Sequence, residues 1–184
     1  IILGLLDFAK PREINAQQHD LNDIIDGTVN MVRYAARQSK VKFIRELHPQ
    51  LPHVWVDSDK LKQALLNLFT NAIHALSEGG TVTVRTKTKT LEKSEIDHAT
   101  DSRNAHVFHE GDRVVMVEIK DNGPGIPNDK LAHIYDPFFT TKEPGKGTGL
   151  GLTVTRRLIE MHGGTIDIRN RKNGGVAVSI WLKV

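Results

Sequence analysis

Two glycine clusters form the stretch of this sequence whose residues are best suited to chemistry. The first is Asp-Asn-Gly-Pro-Gly-Ile from Asp121 to Ile126, and the second is Gly-Lys-Gly-Thr-Gly-Leu-Gly from Gly145 to Gly151. Glycine allows a backbone to adopt positive φ or to approach a ligand closely. The second cluster leads into a segment with helical periodicity, and a helix start offers free N–H groups to an anion. The stretch therefore predicts a phosphate-binding pocket, although its order matches neither the P-loop nor the Rossmann fingerprint.

Two asparagines, Asn67 and Asn71, lie one helical turn apart upstream of these clusters. They fall together on a helical wheel beside an apolar stripe, although asparagine is a poor helix former unless its amide has a partner. One interpretation is a solvated helix edge. The other is that the amide oxygens face a magnesium ion carried by phosphates, since hard cations take such oxygens. Lys60 lies near the same face and is a candidate phosphate contact.

The rest of the sequence predicts the elements that position these groups. We expect helices over about 21–38, 58–78, 128–135 and 150–161, and strands over about 41–45, 54–56, 81–88, 113–121, 165–169 and 175–182. Asp20 and Asp57 are the predicted caps of the first two helices, and Gly79-Gly80 is the predicted end of the second. The polar segment 89–112 predicts a long hairpin connection. This order of elements predicts a mixed sheet covered on one face by helices, an α+β two-layer sandwich.

Composition narrows the classes of partner and compartment. The 184 residues are 39% hydrophobic and 26% charged, which is typical of a globular protein. The net charge of +3 comes without a run of lysine or arginine, so we expect no nucleic-acid partner. The absence of cysteine excludes disulfides and thiolate metal sites. Because the sequence starts at Ile1, we interpret it as a fragment, and we expect a cytoplasmic location with any membrane anchor upstream.

Four motifs, in order, resemble the N, G1, F and G2 boxes of sensor histidine kinases. They are Asn67 with Asn71, Asp121-Asn-Gly-Pro-Gly-Ile, Pro137-Phe-Phe-Thr-Thr-Lys and Gly147-Thr-Gly-Leu-Gly-Leu. The resemblance covers roughly residues 20–184 and implies the Bergerat ATP-binding fold, which is shared with gyrase and mismatch-repair ATPases. The lead-in at 5–11 is most similar to the nitrogen-regulation sensor group.

The resemblance implies a role for each matching residue. Asn71 would hold Mg²⁺, Asn67 would lie beside it, and both would be catalytic together with Lys142, which would reach the terminal phosphate of ATP. Asp121 would accept a hydrogen bond from the adenine amino group, whereas guanine would present a second acceptor to this carboxylate. The remaining residues expected at the nucleotide are Lys60, Gly123, Gly125, Ile126, Gly147, Thr148, Gly149, Leu150 and Gly151.

Asn67 bears on the type of reaction. The hydrolysing relatives resemble one another in having a glutamate at this position, where it orients a water molecule, and an amide is no general base. The asparagine therefore favours phosphoryl transfer to a protein. Two alternatives stay open, a nucleotide-binding regulatory module without transfer and an ATP hydrolase.

The resemblance also implies partners that this sequence does not contain. None of its nine histidines stands in the expected acceptor context, so we expect the acceptor on a dimerisation domain of the same protein, with relay to a response-regulator receiver domain. Residues 1–19 would be the remnant of a dimerisation helix and a linker, and residues 20–184 the catalytic domain. We expect a full-length homodimer, with the fragment a monomer or weak dimer.

Overall fold

The computed structural model describes residues 14–92, 108–140 and 147–184. Its elements are β1 (Gln17–His19), α1 (Leu21–Gln38), β2 (Val41–Glu46), β3 (Val54–Val56), α2 (Ser58–Ala75), β4 (Gly80–Thr90), β5 (Arg113–Asp121), α3 (Asn128–Leu131), α4 (Gly151–Met161), β6 (Thr165–Asn170) and β7 (Val176–Lys183). Within these ranges, no helix is long and apolar enough to cross a membrane.

Carboxylate caps start both long helices, as the sequence predicts. The Asp20 carboxylate accepts a hydrogen bond from the backbone N–H of Asn22 at 2.8 Å, and Asp57 accepts from the N–H groups of Asp59 and Lys60. Each cap satisfies N–H groups that have no partner inside the helix. The caps thus fix where α1 and α2 begin, and α2 carries both asparagines of the predicted site.

A five-stranded sheet forms one layer, with strand order β2-β4-β5-β7-β6. The pair β2 and β4 is parallel and the other pairs are antiparallel, so the predicted mixed sheet is confirmed. The buried stripes of α1, α2 and α4 pack with alternate residues of the strands in one core. The predicted α+β two-layer sandwich with helices on one face is likewise confirmed.

A smaller apolar cluster lies on the opposite face of the sheet. Its buried members are Leu91, Phe108, Val114, Met116 and Trp181. Val114 and Met116 alternate along β5 with Val115 and Val117, which belong to the main core, and alternate strand residues point to opposite faces. The segment between β4 and β5 therefore does more than connect two strands, because its ends at Leu91 and Phe108 bury apolar side chains.

Two predicted helix ends need correction, and one strand was not predicted. The unpredicted strand is β1, which pairs antiparallel with β3 in a separate two-stranded sheet. The helix predicted to reach residue 135 ends at Leu131, where bonds between residues three apart, such as His133 N–H to Lys130 O, replace helical ones. Similarly, α2 ends at Ala75, before the predicted glycine pair, and Gly80 already belongs to β4.

Candidate functional site

Asp121 is a buried carboxylate at the end of β5, with 6% of its surface exposed. Its Oδ1 accepts hydrogen bonds from the backbone N–H groups of Gly123, at 2.8 Å, and Val176, at 3.2 Å. Among the described residues, none donates to Oδ2. A carboxylate held by one oxygen offers the other to a donor on a ligand, and an exocyclic amino group of a base is such a donor.

The loop that follows Asp121 is held from the β6–β7 hairpin by two side chains. The Asn170 amide bonds both backbone groups of Ile126, with Oδ1 accepting from N–H at 2.8 Å and Nδ2 donating to the carbonyl at 2.6 Å. Arg171 donates from Nη1 to the Asp121 carbonyl. We call Asn170 and Arg171 the hairpin clamp. No local pattern in the sequence indicates the hairpin clamp, because only the pairing of β6 with β7 and of β7 with β5 brings the end of β6 to this loop.

Gly175 is required by the same hairpin. Its φ is +81°, and a Cβ there would lie 2.1 Å from the carbonyl oxygen of Asp121. Such a contact is far inside van der Waals distance, and a positive φ also disfavours other residues. Gly175 thus lets the backbone of the β6–β7 hairpin pass directly against the end of β5 that presents Asp121.

The second glycine cluster meets Asn67 at the start of α4. The Asn67 Nδ2 donates to the Gly151 carbonyl at 3.0 Å and to the Thr155 hydroxyl at 3.4 Å. A Cβ on Gly151 would lie 3.5 Å from Asn67 Oδ1. The N-cap of α4, Leu150, makes no side-chain capping bond among the described residues. The start of α4 thus lies beside Asn67 of α2. The first N–H groups of a helix have no partner inside it and would be complemented by an anion.

The segment of the third motif packs against this cluster. Phe138 donates its backbone N–H to the Gly149 carbonyl at 2.9 Å. Gly149 has φ +65°, and a Cβ there would lie 2.2 Å from the Phe138 carbonyl carbon, so only glycine fits. The Phe138 side chain is 64% exposed, so it is no core residue, whereas Phe139 is half-buried with its ring 5.9 Å from that of His133.

The candidate site has a base end, around Asp121, and a phosphate end, around Asn67. The other predicted residues lie near one of these ends or outside the described residues. Asn71 is half-buried one turn after Asn67, and Lys60 is half-buried in the first turn of α2. Gly123 touches the far end of α2, since a Cβ there would lie 3.3 Å from the Ala75 carbonyl oxygen. Thr148 is exposed and accepts from Leu150 N–H at 3.4 Å. Lys142 lies outside the described residues.

The side chains around Asn67 and Asn71 fit a magnesium ion that binds together with phosphates. Within the described ranges, no group of three histidine, cysteine, aspartate or glutamate side chains is placed to hold a metal by itself. Magnesium, however, is usually bound through one or two protein oxygens together with substrate phosphates and water. Asn71 is half-buried one helical turn after Asn67, which contacts the start of α4, and its side chain carries an amide oxygen of the kind that such a site uses.

Comparison with protein families gives one match over most of the chain. The family described as histidine kinase-, DNA gyrase B- and HSP90-like ATPase matches residues 56–184. This range contains α2, the two glycine clusters and the hairpin clamp.

Curated relatives are similar over the whole chain. The sensor histidine kinase ZraS of Salmonella typhi is 35% identical over 184 residues, which is 100% of this chain and 35% of the relative. The signal transduction histidine-protein kinase AtoS of Escherichia coli (strain K12) is 34% identical, and the chain covers 26% of it. The chain thus spans about a third or less of these proteins. The resemblance to the nitrogen-regulation group stays a prediction.

Solved structures of histidine kinases have the same fold. The nucleotide-free catalytic domain of histidine kinase ThkA superposes with a TM-score of 0.71 at 29% identity, covering 92% of this chain and 95% of that one. A structure of ThkA in complex with the response regulator protein TrrA gives 0.73 at 26% identity, covering 99% of this chain and 46% of that one.

Proposed function

The chain belongs to the family of histidine kinase-, DNA gyrase B- and HSP90-like ATPases, and we propose that it is the ATP-binding catalytic domain of a sensor histidine kinase. In this proposal the domain binds Mg-ATP and transfers the terminal phosphoryl group to a histidine on the dimerisation domain of the same protein. A response-regulator aspartate then receives the phosphoryl group. The division into residues 1–19 and 20–184, a cytoplasmic location and a full-length homodimer belong to the same proposal.

The observation that carries the proposal is the amide at Asn67 on the phosphate side of the site. Its Nδ2 is bonded to Gly151 O and Thr155 Oγ1, so the side chain is anchored to the loop that would hold phosphates. An amide accepts no proton from water and thus provides no base for hydrolysis. The arrangement therefore supports transfer to a protein group over attack by water.

The residues of this chain would act by binding and positioning. Asp121 would select adenine, because its carboxylate is buried and accepts from an amino group but is repelled by the carbonyl of guanine. The N–H groups at the start of α4 and Lys142 would stabilise charge on the phosphates. Asn71 would hold Mg²⁺, which when bound neutralises charge on phosphate oxygens. The main contribution to rate would come from orientation of the terminal phosphate towards the acceptor.

The relatives support the kinase assignment and the choice of partner. ZraS and AtoS carry the name of histidine kinases, and the ThkA structure was solved together with a response regulator. These are properties of those proteins. We extend them to this chain because it has the same fold and because its four motifs resemble the boxes of sensor histidine kinases.

The proposal is tested with ATP labelled on its terminal phosphate. This chain is mixed with Mg-ATP and with a longer version of the protein that keeps the acceptor helices but carries Asn71→Ala, so that it cannot phosphorylate itself. We expect label on the longer chain that is lost in acid and kept in base, as for phosphohistidine. The control is the same mixture with Asn71→Ala in both chains, in which we expect no label.

The other outcomes identify the alternatives. Label released only as inorganic phosphate would make the domain an ATP hydrolase. Binding of ATP with neither product would make it a regulatory nucleotide-binding module. Either result would overturn phosphoryl transfer.

A further inference from the structure

The helices α2 and α4 are joined at both ends of their contact. At one end Asn67 bonds the first turn of α4, as described above. At the other end the His162 ring, at the C-cap of α4, accepts at Nε2 a hydrogen bond from the backbone N–H of Asp57 at 2.9 Å. Asp57 is the N-cap of α2, so the two helices run antiparallel with a contact at each end.

The two contacts are spaced so that they define one helix register. Asp57 precedes Asn67 by about 15 Å of helix, and Gly151 precedes His162 by about 16.5 Å, at about 1.5 Å per residue. These lengths match to within about one and a half ångströms. A shift of α4 along α2 therefore breaks both contacts, and holding one contact helps to hold the other.

The second ring nitrogen of His162 fixes the chemistry of this contact. Nδ1 lies 2.6 Å from the carbonyl oxygen of Leu158, which only accepts, so Nδ1 carries the hydrogen. Nε2 then presents its lone pair to the Asp57 N–H, and the ring is the neutral tautomer that bridges two backbone groups. A replacement side chain must reach as far as Nε2 and end in an acceptor to preserve the bond between the helices.

Asp57 also contacts the residues that precede β1. The backbone N–H of Asn15 donates to Asp57 Oδ2 at 3.1 Å. The next residues form β1, which pairs with β3 directly before α2. Asp57 thus forms hydrogen bonds with three segments: Asn15 before β1, the first turn of α2 and the end of α4.

We propose that His162 is a positioning residue that sets the register of α4 on α2 and thereby the distance between Asn67 and Asn71 and the glycine loop 147–151. This inference rests on the proposed function, since it assigns the phosphates of ATP to that gap. The base end of the site lies outside the contact, because Asp121 is held by β5, β7 and the hairpin clamp. Loss of the His162 contact weakens binding of the phosphates and leaves binding of adenosine unchanged.

The test compares two substitutions of similar size. In His162→Asn the side-chain amide reaches the position of Nδ1 and keeps the bond to Leu158, but it is too short for Asp57. In His162→Gln the amide oxygen reaches the position of Nε2 and accepts from Asp57. Equilibrium binding of Mg-ATP and of adenosine is measured for both variants by calorimetry and ligand-observed NMR. His53→Asn, at an exposed histidine between β2 and β3, is the control.

We expect His162→Asn to weaken Mg-ATP binding about five- to tenfold, the effect of about one hydrogen bond, and to change adenosine binding less than twofold. His162→Gln should return Mg-ATP binding to within about twofold of the unsubstituted chain. Equal loss of Mg-ATP and adenosine would indicate general destabilisation and overturn the proposal, as would unchanged Mg-ATP binding in His162→Asn. If the unsubstituted chain binds neither ligand, the proposed function fails instead.

Discussion

The two ends of the candidate site are held in different ways. At the base end, Asp121 and its loop accept or donate five hydrogen bonds with the hairpin and with each other. The hairpin partners come from β6, β7 and the turn between them, in the same sheet as β5. At the phosphate end, Asn67 bonds α4 across a helix pair, and α4 is fixed again at His162.

Under the proposed function, this difference would separate selection of the base from placement of the phosphates. The base end is defined by strand register, which a shift of one residue would destroy, so its geometry is set with the sheet. The phosphate end depends instead on the spacing of two helices, which the contacts of Asn67 and His162 hold. We infer that substitutions at the base end change affinity for every adenine ligand, whereas substitutions at the phosphate end act on ATP alone.

The largest expected effect is at the phosphate end. Asn71→Ala should lower phosphoryl transfer by more than about 100-fold, because it removes the amide oxygen assigned to the metal and its phosphates. Adenosine affinity should stay within about twofold, since no base contact is changed. Transfer is measured with labelled ATP, and Asn30→Ala, at an exposed position on α1, is the control. Undiminished transfer would contradict the assignment of Asn71.

A substitution at the base end should alter which base is accepted. Asp121→Asn replaces a carboxylate that only accepts by an amide with one donor group. We expect ATP affinity to fall about 10- to 100-fold, the loss of one charge-assisted bond, and the preference for ATP over GTP to narrow. Competition binding with both nucleotides measures the ratio, with Asp23→Asn as the exposed control. An unchanged ratio would show that Asp121 does not face the base.

A substitution in the hairpin clamp should also weaken nucleotide binding at the base end, but by less than Asp121→Asn. Asn170→Ala removes both bonds to the Ile126 backbone, so the loop should loosen and weaken ATP and adenosine alike, by about tenfold. Asn173→Ala, at an exposed position in the turn, should leave both affinities unchanged. If Asn170→Ala weakened ATP but not adenosine, the two ends would not be separable as we infer.

The smallest expected effect is a pH dependence of folding stability that arises from Asp57. Burial raises the pKa of the Asp57 carboxyl, but hydrogen bonds from the N–H groups of Lys60, Asn15 and Asp59 outweigh burial and lower that pKa overall. A lowered pKa in the folded state gives stability that is present above about pH 4, the usual value of the unfolded state, and lost as pH falls through the folded value.

Asp57→Asn should remove this dependence. The thermal midpoints of the unsubstituted chain and of Asp57→Asn should differ most near neutral pH and converge as pH falls towards 3. Asparagine still caps a helix, so the variant should fold. A difference that stays constant across this range would show that the Asp57 charge contributes nothing to stability.

Several features of this protein follow from the sequence alone, because they depend on neighbours along the chain. Apolar spacing and the caps Asp20 and Asp57 predicted α1 and α2, and alternation predicted the long strands. The pair Asn67 and Asn71 lies one turn apart on any helix that contains it. The four motifs indicated the family, because glycine, asparagine and aspartate at these spacings are recognisable without tertiary contacts.

Only the tertiary structure decided which of these elements meet. The sequence contains no local signal that β3 pairs with β1 or that β2 lies parallel to β4. The Asn170 contact with Ile126 joins residues 44 apart, and the His162 contact with Asp57 joins residues 105 apart. Periodicity reports which face of an element is apolar, whereas such contacts depend on strand order and helix register, which arise when the whole core packs.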